Sequence, residues 1–573
     1  MKFGFSYNRY TKNQQLFGDQ QGNYSFGQLT NDSLMDIALG LSTGYSQFQA
    51  TPIRHYVNQT PSVYAMDNWH VTPRLSLQLG LRYDALPHAW ERNNQVANFN
   101  PAAYLQTQAP MWTNSGTISP TSQSITTVNS VQFYLNGMGL AGQYGFPRGL
   151  VKNDYQTLQP RVGFSEDLFG DGKTVLRGGL GTFYERLQGN DTYNIATTPP
   201  FAFNPSASNV YFSTPKTSWV TGQTAATPFY AQGLTNLDTT YPPPAVAQFS
   251  LGVQREVSPS VIWVIQYVGN LAWHQNIERN INTAPLNTSL ANRCNLGDGS
   301  NKYAGDNCTN LSIPNQIRNY QGFGGIVQQE NTTNGNYNGF QTGLRIQNRW
   351  GLSGEVDYTW SHEIDITSYD LGTVSNPFNL KYDKGSGALD RRQILNINYI
   401  YQLPIFSKSK GLVHGLLGGW EIAGTAIDET GLIPTNQGPG LSIPYDPIGL
   451  NGGYTNRPNV SGKMRYPKKF GQWFDTTMLS APTPAWAGGP NQGFGNAGKD
   501  SILGPGRVDF TTSLYKNFAI REAAHFEIRA ETFNTFNHTE YQNVNTSYGA
   551  GQFGQVTSTW DPRVMELGGK FVF

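Results

Sequence analysis

The chain offers few groupings of side chains that could make or break bonds. Its eight histidines are scattered, and no His-x-x-x-His pair occurs that would place two imidazoles on one helix face for a metal. Gly178-Gly179-Leu180-Gly181 is glycine-rich but lies inside strand-like alternation, with no helix behind it to offer its N-terminus to a phosphate. The only cysteines, Cys294 and Cys308, share a polar segment with Asp298 and Asp306. Those carboxylates lack the ordered spacing and closing Glu of a calcium loop, and a zinc site would want more ligands. A local disulfide between the cysteines in an oxidising compartment is the preferred reading, with two free thiols as the alternative. What remains is a chemistry of recognition. Trp112, Tyr134, Tyr144, Tyr211, Trp219, Trp473 and Trp486 fall in long irregular stretches rich in amides. Aromatic platforms among amides suit sugars or siderophores, although loops also pack on one another with the same residues. The expected catalytic, metal and cofactor sets are therefore empty, and no enzyme is expected.

The segments that must position these loops alternate with a period of two, as a pleated strand imposes. In Arg74–Asp84, residues Leu75, Leu77, Leu79, Leu81 and Tyr83 form one stripe, and Ser76, Gln78, Gly80, Arg82 and Asp84 the other. Phe526, Ile528 and Ala530 oppose Glu527, Arg529 and Glu531 in the same way, and the last run ends on Phe571 and Phe573. Strands are expected at about 2–10, 22–29, 51–71, 74–84, 155–168, 174–185, 245–257, 261–274, 337–349, 352–364, 389–405, 416–430, 507–518, 525–536 and 564–573. Short and long links alternate between them. In an up-and-down sheet that places the short turns on one rim and the long segments, about 30–51, 87–154, 187–243, 277–335, 366–388, 431–506 and 537–561, on the other. This is the pattern of an antiparallel outer-membrane β-barrel, whose apolar stripe faces lipid and whose polar stripe lines the interior. Charge assigns the lumen to the stripe bearing Arg82, Arg177, Glu527, Arg529 and Glu531, because a charge facing lipid near the bilayer midplane costs roughly 2–4 kcal/mol. Aromatics near strand ends, such as Trp69, Trp273, Trp360 and Trp420, fit interfacial girdles.

Composition agrees. Charged residues make up 13% and aromatic residues 13% of the 573, with 63 glycines, a β-rich balance without the excess of helix formers. A net charge of +1 without a basic run argues against a nucleic-acid partner. No run of about 18 apolar residues is present for a transmembrane helix. Residues 1–10 alternate like a strand and have no signal-peptide core, so the sequence is expected to begin inside a longer barrel. About fifteen strands of a 22-strand barrel are expected. An odd count would bring the first and last strands together in parallel, so imperfect closure follows.

Gly504-Pro-Gly506, Leu514-Tyr-Lys-Asn-Phe518, Arg529-Ala-Glu-Thr-Phe-Asn-Thr-Phe-Asn-His538, Phe553-Gly-Gln-Val-Thr-Ser558 and Asp561-Pro-Arg563 resemble TonB-dependent outer-membrane receptors of the Oar-like group. Pro160-Arg-Val-Gly-Phe164, Tyr267-Val-Gly-Asn270, Tyr358-Thr-Trp-Ser361 and Leu417-Gly-Gly-Trp420 extend the resemblance along most of the chain. It implies a Gram-negative outer membrane and, in a complete protein, energy-dependent import of a large ligand through a plugged barrel. TonB would then act through an N-terminal plug that this sequence does not show. Other implied partners are outer-membrane lipid and the barrel-assembly machinery, for which Phe571 and Phe573 would be the signal. A surface-display barrel without import and a soluble lectin-like all-β protein are the rival readings.

Overall fold

A computed structural model describes residues 1–15, 18–27, 29–48, 53–112, 118–128, 131–215, 228–229, 233–283, 318–432, 440–443, 456–483, 489–520 and 524–573. Its principal sheet has 18 strands, of which four are short additions: Trp90–Glu91, Gly233–Leu237, Gly372–Thr373 and Gly385–Ser386. The remaining fourteen run in chain order as one antiparallel wall. They are β1 (Lys2–Gln14), β2 (Arg54–His70), β3 (Leu75–Asp84), β4 (Leu158–Asp167), β5 (Thr174–Tyr184), β6 (Ala245–Ser258) and β7 (Val261–Asn280). The second half comprises β8 (Gly325–Arg349), β9 (Leu352–Asp365), β10 (Gln393–Gln402), β11 (Trp420–Glu429), β12 (Arg507–Ala519), β13 (His525–Phe533) and β14 (Val564–Val572). Helices are short, and among the described residues none is long and apolar enough to cross a membrane.

The pairing carries one side-chain alternation around the whole wall. Phe5 lies opposite Val63, Val63 opposite Tyr83, Leu79 opposite Val162, Val162 opposite Leu180, and Leu180 opposite Phe249. The stripe continues through Leu251, Tyr267, Phe340, Trp360, and on to Leu514, Ala530 and Leu567. Directly opposed residues share a face, so these side chains form one apolar outer surface. Phe5, Leu79, Leu251, Trp360, Ile528 and Leu567 are all exposed on it.

Turn chemistry fixes the short rim. Trp350 and Gly351 both have positive φ, 54° and 80°, and link β8 to β9 in the two-residue form whose twist matches a hairpin. Between β4 and β5, Gly170 and Gly172 adopt φ of 76° and 72°, and their amides donate to the Asp167 carboxylate at 3.0 and 2.8 Å.

Three expectations are corrected. The described residues of 22–29 do not build a wall strand. Asn23–Ser25 instead pairs with Leu41–Ser46, itself paired with Ser206–Tyr211, in a separate loop sheet. The segment is short and offers no row of aliphatic residues for a lipid face, so β1 pairs directly with β2. The count of spanning strands is therefore even. β1 leaves the short-turn rim and β14 returns to it, which makes the two edge strands antiparallel to each other. Among the described residues those outer edges are not paired, so the wall is open. The segment 277–335 is also less loop than expected, because β7 reaches Asn280 and β8 starts at Gly325.

Candidate ligand-binding crown and polar wall

The polar side of the wall is the concave one. A hollow of about 980 Å³ is lined from β2 to β8 by side chains of the polar stripe, including Tyr64, Gln78, Arg82, Arg161, Arg177 and Asn270. Its floor is kept clear by Gly80, Gly163, Gly179 and Gly181, which lack a side chain to fill it. A second hollow of about 600 Å³ runs from β8 to β12, with Arg345, Glu355, Asn398, Thr425, Thr511 and Tyr515. Arg82 pairs with Asp84 at 2.7 Å, and the Arg161 guanidinium sits 4.4 Å from the centre of the Phe183 ring. On β13, Glu531 accepts from the Tyr515 hydroxyl at 3.2 Å and stands 3.8 Å from Arg529. Glu527 lies opposite Lys570, and Gly568 makes room for Arg529, since a Cβ there would stand 2.8 Å from its Nε. Arg82, Arg177, Glu527, Arg529 and Glu531 thus all lie on the polar face. Charge is solvated or paired there, where it costs little.

Above the long rim the loops build a crown with apolar cores of their own. One core joins Tyr56 of β2 to Val96, Leu150, Tyr193, Ile195, Leu237 and Tyr241, and an adjacent one joins Phe99, Ile118, Tyr134, Phe323 and Ile326. Another, from residues 430–506 and 534–563, gathers Leu441, Trp473, Phe474, Ile502, Val544 and Val556. Phe474 is fully buried. Phe474→Ala should cost this part of the crown roughly 3–5 kcal/mol through the lost burial and the cavity left behind. Limited proteolysis should show it as earlier cleavage in 456–483, with the wall still protected.

These cores sort the candidate aromatics. Tyr144 is 99% and Tyr211 59% exposed, so both present their rings to solvent. Tyr134 and Trp473 are only 1% and 6% exposed, and their polar atoms are used internally: the Tyr134 hydroxyl donates to the Gln108 carbonyl and Trp473 Nε1 donates to the Leu503 carbonyl. They build the crown and do not line its surface, contrary to expectation, because packing the long loops requires large side chains inside them. Trp112 packs against the second core. Trp219, Trp486, Cys294 and Cys308 lie outside the described residues.

Polar clusters that the sequence did not single out lock the crown to the wall. The Tyr241 hydroxyl donates to Asp191 Oδ2 at 2.7 Å, and Asn276 Nδ2 of β7 donates to the Tyr241 oxygen at 2.7 Å. Burial pushes the Asp191 carboxyl up to about 6; the Tyr241 hydrogen bond opposes this, and Asp370 and Glu185 add to it. In the window from about pH 4 to pH 6, the folded crown holds a proton that the unfolded chain has released. Stability therefore falls as pH rises through that window, and the full penalty is present above it. Asp191→Asn should remove this slope and raise crown stability at pH 7.5 by up to roughly 3 kcal/mol, with little change at pH 4. Thermal melts across that range are the check.

On the other side Arg457 is wholly buried. It donates to Asp383 Oδ1 at 2.8 Å, to the Tyr382 carbonyl at 2.7 Å and to the Ala497 carbonyl at 2.9 Å. Lys499 bonds Asp365 at the top of β9 and lies 3.1 Å from Asp500, whose carboxyl burial pushes up to about 6 against the opposing pull of Lys499. No periodic spacing marks Arg457 or Asp191 in the sequence, since both belong to irregular loops whose partners are distant in the chain.

Residues 1–566 match the family model described as outer membrane beta barrel domain. No curated protein matches. Among solved structures, the chain is similar to the outer membrane transporter YddB from Escherichia coli, with 10% identity and a TM-score of 0.43 over 100% of this chain and 55% of that one. It is also similar to the ferric-catecholate import receptor Fiu from E. coli K12, at 9% identity and a TM-score of 0.37 over 100% and 55% of the two chains. The siderophore receptor PiuA from Acinetobacter baumannii gives 8% identity and a TM-score of 0.37 over 92% and 44%. The chain thus spans about half the length of these structures. With its apolar outer stripe, polar concave wall and match over nearly all its residues, the chain belongs to the outer membrane beta barrel domain family, and its wall stands in the outer membrane of a Gram-negative bacterium.

Proposed function

We propose that this wall and crown serve a TonB-dependent receptor of the Oar-like kind, which in its complete form captures a large ligand such as a siderophore or carbohydrate and imports it. The observation that carries this reading is the crown with buried cores of its own set above a polar, concave wall. A capture surface packed on its own cores over a water-compatible interior is what import requires. Tyr144 and Tyr211 are the aromatic contacts offered to the ligand. TonB would act through a plug in the complete protein. Cells expressing that protein should accumulate labelled ferric siderophores or oligosaccharides only when TonB is intact, and should still bind them when it is not. Binding with no TonB-dependent uptake would favour a display role instead.

Phe571 in the last strand and Phe573 just beyond its end stand at the short-turn rim, where we assign them to recognition by the barrel-assembly machinery. Deleting Phe571–Phe573 from the complete protein should lower its outer-membrane level while leaving ligand affinity of the remaining molecules unchanged. Normal membrane levels after the deletion would refute the assignment.

A further inference from the structure

The connection between β10 and β11, residues 403–419, differs from the tight turns elsewhere on the short rim. It carries a helix, Gly411–Leu417, every residue of which is exposed. Leu412 and Leu416, at 82% and 60% exposure, and Val413 and Leu417 beside them recur at four-residue spacing, so they form one stripe on the helix. The other side carries Gly411, His414 and Gly415. His414 Nδ1 lies 3.1 Å from the Phe406 carbonyl oxygen, which folds the helix back on its own connection with the apolar stripe turned outward.

Two observations identify what covers that stripe. Lys516 of β12 belongs by register to the membrane side of the wall, opposite Trp420 on one neighbour and Ile528 on the other. Its ammonium is buried, donates to the Gly418 carbonyl at the end of the connection, and lies 5.9 Å from the centre of the Trp420 ring. The end of the connection is thereby held on the lipid side of the wall, beside Trp420. The second observation is charge. Lys408 and Lys410 are exposed just ahead of the helix, and residues 403–419 contain no Asp or Glu. An apolar stripe flanked by lysines matches a headgroup boundary, where stems and leucines enter the acyl region and ammonium groups stay with phosphate.

We propose that residues 403–419, on the short-turn rim that in outer-membrane barrels faces the periplasm, form an interfacial anchor in the periplasmic leaflet, with Leu412, Val413, Leu416 and Leu417 in the acyl boundary and Lys408 and Lys410 on anionic phospholipid headgroups. The proposal rests on the membrane-side assignment of the wall and not on the import reading. The test uses the full chain carrying Cys294→Ser and Cys308→Ser, with an environment-sensitive fluorophore at Leu416→Cys or, as a wall reference, at Leu251→Cys. The protein is folded into phosphatidylcholine vesicles with and without phosphatidylglycerol. Both labels should be quenched by brominated acyl chains, and phosphatidylglycerol should deepen quenching at 416. Adding Lys408→Gln and Lys410→Gln should abolish that gain without altering position 251. Aqueous emission and iodide quenching at 416, with 251 still quenched by brominated lipid, would overturn the anchor. A lysine variant that keeps the phosphatidylglycerol response would overturn the headgroup contact. Loss of lipid quenching at both positions would overturn the membrane-side assignment itself.

Discussion

Arg457→Met is expected to destabilise the crown by roughly 3–5 kcal/mol, because it leaves a buried carboxylate without its cation. Asp383 is itself buried and accepts the amides of Ser375 and Asn376 at 2.7 and 3.2 Å, so it cannot turn to water when Arg457 is lost. The guanidinium also lies 3.7 Å from the centre of the Tyr382 ring and donates to two backbone carbonyls, so four contacts fail together. Hydrogen exchange should show residues 375–383 and 456–460 losing protection, with β12 and β13 unchanged. Combining the substitution with Asp383→Asn should recover a good part of the loss, since the uncompensated charge is then gone. A single variant with unaltered exchange would show that the pair holds nothing.

Leu251→Arg is expected to cost roughly 2–4 kcal/mol in a bilayer, whereas Ser250→Arg, one residue away, should cost little. Leu251 sits in the middle of β6 between Gly178 and Tyr267 on the apolar face, and Ser250 lines the polar hollow. The two variants carry the same side chain at nearly the same depth and differ only in which solvent they meet. Reversible unfolding in vesicles measures both. Equal penalties would mean that the face assignment, and with it the register of the whole wall, is wrong.

The wall was legible in sequence because lipid imposes a local rule. Each strand must show an apolar residue at every second position, so Leu75 to Tyr83 or Phe526 to Ala530 declare their face without reference to any distant partner. The same rule misled at 22–29, where Tyr24 and Phe26 alternate with polar residues but serve a small loop sheet and its aromatic packing against Tyr45 and Phe212. The charges on the polar stripe were assigned from energetics alone, since Arg177 or Glu531 facing lipid would be too costly. The crown obeyed no such rule. Tyr134 and Trp473 look in sequence like any exposed loop aromatic, and only long-range packing distinguishes them from Tyr144 and Tyr211. Asp191, Tyr241 and Asn276 meet from three separate segments, as do Arg457, Asp383 and Ala497, and one chain read alone carries no trace of such meetings. Alternation predicted the link between β10 and β11 to be short, yet it holds a helix, because a stripe of only four apolar residues is too brief to register as a periodic element.

The β7–β8 pair extends well beyond what a bilayer needs. A barrel strand crosses in about 9–11 residues, whereas β8 has 25 and remains paired with β7 from Val261↔Ile346 to Asn280↔Val327, slipping only around Gln275. Near its upper end Arg279 clasps Glu330 and donates to the Pro377 carbonyl, tying the pair to the crown. Its interstrand hydrogen bonds lie across the strands, so a pull along the membrane normal loads many of them together in shear and does not peel them one by one. The pair is a stiff post, and a load applied at the crown would pass down it into the wall, with the irregularity around Gln275 as the place where the ladder is interrupted.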